Sequence, residues 1–329
     1  MSAQPLAFAA GAVLLLVVLW EAFETIVSPR RVSRRFRLTR LFYRVTWLPC
    51  RATATLVPQG RRREGFLSVF GPISLLVLLM IWAALIVLGY ALMQWGAGSG
   101  MQTTAGRHGW TTDLYACGAT LFTLTPGDLV PASRCARVLV VLEAGTGIGL
   151  FALVIGYLPV ISQAFSRREV NVSLLDARAG SPPSAAELMI RHAGEEHRQV
   201  LSALFEQWEA WCADLLETHV SFPVLAYYRS QHANQSWVAA LTAVLDACVL
   251  VLALSEDQSQ RAARLTFAMA RHAAVDLTLV FALRPLPPQV ERLPPDELAQ
   301  VREALRAAGW RVRDTPDAEA KLHRLRAMY

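Results

Sequence analysis

Three long apolar runs limit what this chain of 329 residues can fold into. They cover residues 6–27, 72–95 and 136–163, and each reaches the roughly 20 residues that a helix needs to cross a bilayer. Only 18% of the residues are charged, whereas about 25% is usual for a soluble domain. We therefore predict a multi-pass, all-α membrane protein. The first run has no basic residue before it and exceeds a typical signal-peptide core, so we predict a retained span.

The placement of arginine predicts the orientation in the cytoplasmic membrane. Eleven arginines and one acid, Glu64, lie between residues 28 and 66, whereas the connection 95–113 contains Arg107 as its only arginine. Cytoplasmic loops carry the excess of basic residues. We predict that the N-terminus lies outside and the C-terminal half in the cytoplasm. Because the arginine cluster lies between two spans, we do not predict nucleic acid as a partner.

A shorter segment lies between the second and third runs. Residues 113–122 are amphipathic but too few to cross a bilayer, and a polar turn follows them directly. The turn consists of Thr123, Leu124, Thr125, Pro126, Gly127 and Asp128. Non-helical backbone at membrane depth is tolerated only where protein covers it or water reaches it. A half-helix, a turn and a spanning helix together predict a pore.

The turn resembles the pore loop of the tetrameric potassium-channel superfamily, which reads TVGYGD where this chain reads TLTPGD. The resemblance covers roughly residues 70–165. It implies an outer helix from residue 72, a re-entrant pore helix with a filter, an inner helix over 136–163, and a homotetramer, because one unit supplies a quarter of a filter. The span over 6–27 is additional. Thr125 and Pro126 stand where the family has Gly and Tyr.

These departures bear on ion selectivity. A β-branched residue such as Thr125 disfavours positive φ, and the following Pro126 drives it toward extended dihedrals. We therefore predict an incomplete carbonyl cage, weak selectivity among monovalent cations such as K⁺ or Na⁺, and no other cofactor. Thr123 and Leu124 would supply the remaining ligands. We expect Asp128 behind the loop, bonded to the re-entrant helix; the alternative is an outer ring of four acids.

The inner helix contains one buried acid and several glycines. We expect Glu143 to bond pore-loop donors such as Thr120 or Thr123, with direct ion binding as the alternative. The candidate packing or hinge positions are Gly145, Gly149 and Gly156. Small residues permit close helix packing, and they also permit a bend that opens a gate. Pro159 is expected to end or kink this helix.

A basic amphipathic segment follows the first run. Over residues 38–48 apolar positions recur at helical spacing, while Arg37, Arg40 and Arg44 share another face. This pattern is typical of a helix in the membrane interface, where anionic lipid headgroups attract arginine. The alternative is a helix packed on the protein's own cytoplasmic domain.

The remainder of the chain is less apolar and predicts a cytoplasmic helical bundle. We divide the chain into an N-terminal region 1–65, a pore domain 66–165, a linker 166–183, a helical domain 184–284 and a proline-hinged, peripheral tail 285–329. The helical domain contains a polar and aromatic cluster. Its members are His219, Tyr228, Arg229, His232 and Trp237. The cluster is either a regulatory ligand pocket or a turn packed between helices.

These features favour a homotetrameric cation channel gated through the helical domain. The alternative is a channel-derived sensor that does not conduct. The five cysteines are scattered without a CxxC pair, which disfavours a zinc or redox site. We find no arrangement of nucleophile and base in the sequence, and we therefore do not predict an enzyme.

Overall fold

The computed structural model describes residues 3–28, 38–58, 60–98, 100–104, 106, 108–124, 127–230, 234–255, 259–281, 283 and 292–329. These residues are predominantly helical, which confirms the all-α prediction, and the chain divides into two compact units. The first unit comprises Met1–Val57 and Val69–Ser162, and the second comprises Pro58–Ser68 and Gln163–Tyr329.

The first unit contains one two-stranded sheet and the helices of the predicted pore domain. Its elements are α1 (Ala3–Ala22, extended by the π-helical turn Phe23–Val27), α2 (Leu38–Leu56), α3 (Arg61–Gly96), β1 (Met101–Thr103), α4 (Trp110–Leu121), β2 (Leu129–Pro131) and α5 (Arg134–Ala179). The strands pair antiparallel, with Met101 opposite Pro131. They join the segment before α4 to the segment after its turn. Both α3 and α5 continue into the second unit.

The second unit is a bundle. Its remaining helices are α6 (Ala185–Arg191), α7 (Glu195–Ser221), α8 (Trp237–Leu254), α9 (Gln260–Val280), α10 (Pro295–Ala307) and α11 (Pro316–Arg326). Trp208 and Phe205 of α7 share a buried core with Val244 and Cys248 of α8. The predicted bundle is therefore present.

Four described helices are long and apolar enough to cross a membrane, namely α1 with its π-helical turn, α3, α5 and α8. Three of them contain the predicted spans. The fourth, α8, has 72% of its apolar window buried inside the protein, whereas α5 has 17%. The apolar surface of α8 is therefore covered by the other helices of the bundle. The surface of α5 requires lipid or another protein to cover it.

Glycines bring α1 and α3 into backbone contact. A Cβ atom added at Gly11 would lie 2.5 Å from the carbonyl oxygen of Gly89, and one added at Gly96 would lie 2.5 Å from the amide nitrogen of Phe8. Small residues allow this approach, which is the usual way that apolar helices associate in a membrane. The additional N-terminal span therefore packs against the predicted outer helix.

Three predicted boundaries are wrong. The helix expected to end near residue 163 continues through Pro159 and the predicted linker to Ala179, since one proline removes one backbone hydrogen bond without stopping a helix. The start of the predicted helical domain is divided into the short helix α6 and the long helix α7. Gly194, with φ of 102°, lies at this break in a conformation that glycine tolerates best.

The tail 285–329 is not peripheral where it is described. Leu298 and Leu305 of α10 and Leu322 of α11 are buried in the core of the second unit. The indole Nε1 of Trp310 donates a hydrogen bond to the carbonyl of Met189, at 2.9 Å. The charged surface of these helices concealed an apolar stripe that completes the bundle.

Candidate functional site

Helix α4, which was predicted to be re-entrant, has 12 residues. At 1.5 Å per residue it is about 18 Å long, well short of the roughly 30 Å hydrocarbon core. Its first turn is anchored by Asp113, which is fully buried and whose Oδ1 accepts a hydrogen bond from the amide of Met101 at 3.1 Å. Met101 begins the strand that pairs with β2. The sheet thus connects the start of α4 to the chain that follows the turn.

The C-terminus of α4 ends in a Schellman motif. The amide of Thr123 donates to the carbonyl of Thr120 at 3.0 Å, and the amide of Leu124 donates to the carbonyl of Ala119 at 2.8 Å. Thr123 has φ of 57°, in the left-handed region that this motif normally gives to glycine. A β-branched residue there is strained by about 1–2 kcal/mol. Thr123 therefore terminates the helix in a bent conformation.

The rest of the turn is exposed where it is described. Leu124 has 65% of its surface accessible, and Gly127 is also exposed. Thr125 and Pro126 lie outside the described residues, so the incomplete carbonyl cage stays a prediction. The side chain of Asp128 is exposed, and it makes no hydrogen bond to the described part of α4. The expected position behind the loop is therefore not found. The buried acid is Asp113 instead.

Glu143 is fully buried on the face of α5 that meets α4, next to the thiol of Cys117. Neither of its carboxyl oxygens is bonded to Thr120 or Thr123, and the polar group beside it is the thiol of Cys117. The predicted bond to Thr120 or Thr123 is therefore wrong. Because the side chain is sealed from solvent, the geometry within one chain also does not favour direct ion binding.

The glycine that closes the contact between α4 and α5 is Gly147, which lies in the same run of glycines as the predicted positions. A Cβ atom added there would lie 2.3 Å from the carbonyl oxygen of Leu121. Cβ atoms added at Gly145, Gly149 or Gly156 would meet nothing within 4 Å. The three predicted glycines thus lie on the outward face of α5. Their spacing alone gave no signal that distinguished Gly147 from its neighbours.

The predicted regulatory cluster is brought together in the second unit, but its interior is filled by Arg168. This side chain is 2% exposed. Its Nη1 donates to the carbonyl of Leu225 at 3.0 Å, its Nη2 to the carbonyl of Tyr228 at 2.7 Å, and its Nε to the carboxylate of Glu169 at 3.0 Å. The ring of Phe165 lies beneath the guanidinium, with its centroid 5.1 Å from Cζ.

His219 completes the enclosure as a neutral imidazole. Its Nδ1 lies 2.8 Å from the carbonyl of Leu215 and must donate there, which leaves Nε2 to accept from Nη1 of Arg168 at 3.3 Å. Burial, and then the positive charge of Arg168, lower the pKa of His219 to about 3. The ring of Trp237 lies 4.8 Å from the imidazole. The cluster is therefore a turn packed between helices, as the alternative interpretation stated.

Of the other members of the cluster, Arg229 points away from the enclosure around Arg168 to a different partner. Arg229 forms an ion pair with Glu64, in the first turn of α3. His232 lies outside the described residues. No feature of the sequence distinguishes Arg168 from Arg167, which is exposed and pairs with Asp214 at 3.4 Å. Only the packing of the second unit reveals which arginine is enclosed.

Comparison with known proteins supports a membrane location. No family model matches the sequence, and no solved structure is similar to it. An uncharacterized membrane protein of Bacillus subtilis, YdjJ, is 24% identical over 188 residues, which cover 56% of this chain and 54% of that protein. The chain thus spans about half the length of this relative. Together with the apolar helices, the similarity indicates that the chain is a membrane protein with transmembrane helices.

Replacing Gly147 with alanine should destabilise the first unit. The added methyl group would press on the backbone of Leu121, which cannot rotate away, and we expect a loss of about 1–3 kcal/mol. The measurement is the unfolding midpoint in detergent. The matched control is Gly65→Ala on α3, where an added Cβ meets nothing within 4 Å. Equal midpoints for the two variants would contradict the close contact.

The buried imidazole should make stability depend on pH. The unfolded chain protonates His219 near pH 6.5, whereas the folded protein does so only near pH 3, so stability falls as the pH drops through this window. One such group changes the free energy of unfolding by at most about 1.4 kcal/mol per pH unit. We expect His219→Gln, which retains a donor and an acceptor, to reduce the loss of unfolding midpoint between pH 7.5 and 4.5. His323→Gln on α11 is the exposed control. If the unfolding midpoint of His219→Gln fell with pH as steeply as that of the wild type, the buried His219 would not be the cause of the pH dependence.

Proposed function

We propose that this chain is one subunit of a homotetrameric cation channel of the cytoplasmic membrane, gated through its helical domain. The observation that carries the proposal is α4, a helix of 12 residues that ends in an exposed turn between the apolar helices α3 and α5. A structure of this kind at membrane depth requires protein or water around its free end. An aqueous pore at the junction of several subunits supplies that water.

The charge at the end of α4 supports cations as the permeant species. The C-terminal end of a helix carries about half a negative elementary charge, which stabilises a cation in a water-filled cavity. Thr123 bends away at this end and does not begin an extended row of carbonyls. Fewer aligned oxygens replace less of an ion's hydration shell. This geometry supports weak selectivity between K⁺ and Na⁺.

The outward face of α5 supports self-association. Large apolar side chains there are exposed in the single chain, at Val138, Val141, Leu142, Ile148 and Ile155. Gly145, Gly149 and Gly156 lie on the same outward face. A helix face of this composition allows close packing of another apolar helix in a membrane. A second copy of α5 is the occupant that a tetrameric pore would supply.

The departure of Thr123 from an extended filter conformation favours a second candidate, a sensor that does not conduct. Planar bilayers containing the purified protein distinguish the two. We expect unitary currents and nearly equal permeabilities for K⁺ and Na⁺ in bi-ionic reversal potentials. Thr123→Gly relieves the backbone strain and removes the hydroxyl, whereas Thr123→Val removes only the hydroxyl.

Both Thr123 variants should change the permeability ratio if the hydroxyl lines the passage. Glu303→Gln, on the surface of α10, is the control and should leave it unchanged. Tetramers that never conduct would favour the sensor. Strong preference for K⁺ would contradict the weak selectivity while leaving the channel in place.

We further propose that α2 lies on the cytoplasmic membrane surface and binds anionic lipid. At 100° per residue, Arg40, Arg44 and Arg51 fall within about 40° of one another, and all three are exposed. A stripe of exposed apolar side chains runs beside them, at Leu41, Val45, Leu48 and Leu56. Arg37, predicted for the same face, lies outside the described residues.

The opposite face of α2 and its N-terminus are held by the first unit. Tyr43 and Ala54 are buried, and the carboxylate of Glu21 accepts a hydrogen bond from the amide of Thr39 at 2.9 Å. The exposed stripe is thus left for an apolar surface, and the spans on either side keep α2 at the membrane. Clustering of α2 with the first unit favours the lipid over the cytoplasmic domain as its partner.

Anionic lipid should stabilise the protein through these arginines. We expect a higher unfolding midpoint in nanodiscs of phosphatidylglycerol than of phosphatidylcholine, and the difference should disappear when Arg40, Arg44 and Arg51 are replaced with glutamine. Each arginine near an anionic surface contributes about 1 kcal/mol. The matched control replaces three exposed arginines of α9, Arg261, Arg264 and Arg271. If the difference in midpoint between the two lipids fell equally in both triple variants, the result would argue against a lipid site on α2.

A further inference from the structure

Residues 222–230, the first part of the connection between α7 and α8, form a segment that we call the strap. It contains the 3₁₀ turn Pro223–Tyr227 and then runs extended past the C-terminal part of α5. The strap, the start of α3 and the end of α5 all belong to the second unit. Both helices continue from there into the first unit.

The strap is held to α5 by buried polar contacts. Two of its carbonyls, those of Leu225 and Tyr228, accept hydrogen bonds from Arg168. The ring of Tyr228 packs on that of Phe165 with centroids 5.6 Å apart, and the hydroxyl of Ser230 donates to Glu169 at 3.2 Å. If the strap moved away, the buried guanidinium would lose two acceptors, which is costly for an enclosed cation. The strap and this part of α5 therefore move together.

The contact between the strap and α3 is of a different kind. Arg229 pairs with Glu64, and the two side chains are 38% and 41% exposed. Water and salt reach both groups, and an ion pair of this type contributes little to stability. It can therefore open and close while the buried contacts to α5 stay intact.

We infer that the strap is the regulatory link of the channel, with a permanent anchor on the inner helix at Arg168 and a releasable anchor on the outer helix at Glu64. Closure of the Glu64–Arg229 pair holds the cytoplasmic ends of the two pore helices together. Its opening frees α5 to move with the strap and changes the open probability. Arg168 acts here as a positioning residue. This inference rests on the proposed channel function.

Charge reversal with rescue tests the link. The variants are Glu64→Arg, Arg229→Glu and the double reversal, with the exposed α6 pair Glu187 and Arg191 reversed in the same way as the control. Amide hydrogen exchange of residues 222–230 in nanodiscs reports the link without requiring conduction. Open probability in bilayers reports its effect on gating.

We expect each single reversal to raise exchange in the strap severalfold and to shift the open probability in one common direction. The double reversal should return both readouts toward wild type, and the α6 variants should leave both unchanged. Unchanged exchange in the single variants overturns the link, and altered exchange with unchanged open probability overturns its regulatory role. If the wild-type protein passes no current in bilayers, the channel function itself is overturned. Recovery of slow exchange in the double reversal would then support the contact between the strap and α3, without a role in gating.

Discussion

The first unit depends on the rule that hydrocarbon offers no hydrogen bonds to a helix end. A helix that stops inside the membrane leaves its last carbonyls without partners, and the chain must pair them or expose them to water. Here the Schellman motif at Thr123 uses two of these carbonyls, and Gly147 brings α5 against a third, that of Leu121. The strained φ of Thr123 is accepted because the alternative is a set of orphaned acceptors. Under the proposed membrane topology, the exposed remainder of the turn requires water at this point.

A related constraint organises the second unit, where a cation is enclosed. Arg168 is stable in its site because two carbonyls, one carboxylate and a neutral histidine receive its donors. The enclosure fixes the tautomer of His219 and the course of the strap. Of the two interpretations that the sequence left open, the packed turn is the one found, because the protein's own arginine fills the interior of the cluster. The bundle gains a specific arrangement at the point where α5 enters it.

The sequence predicted correctly those helices whose presence depends on the length and hydropathy of an apolar run. Three spans and the short α4 follow from how many apolar residues run together, and helices are present at these positions. It failed where neighbouring residues of the same type have different roles. Gly147 differs from Gly145 only in which helix lies opposite, and Arg168 differs from Arg167 only in the direction in which α5 presents it. These distinctions arise from packing between distant segments, which no local pattern contains.

The predicted boundaries of the helices and of the tail were wrong for a similar reason. Proline was given more weight at Pro159 than the surrounding helix allows, and the real end of α5 comes where Gly180 adopts φ of 86°. The charged tail was judged peripheral because few of its residues are apolar. Those few, spaced at helical intervals on α10 and α11, fill the last open side of the bundle.

The length of α5 has a mechanical consequence. Its 46 residues form one helix of about 69 Å that passes through both units. A continuous helix resists twisting, because backbone hydrogen bonds tie each turn to the next. Pro159 has no amide hydrogen to donate, so the helix lacks one backbone hydrogen bond at this position. Bending α5 therefore costs less free energy there than in an uninterrupted stretch of helix.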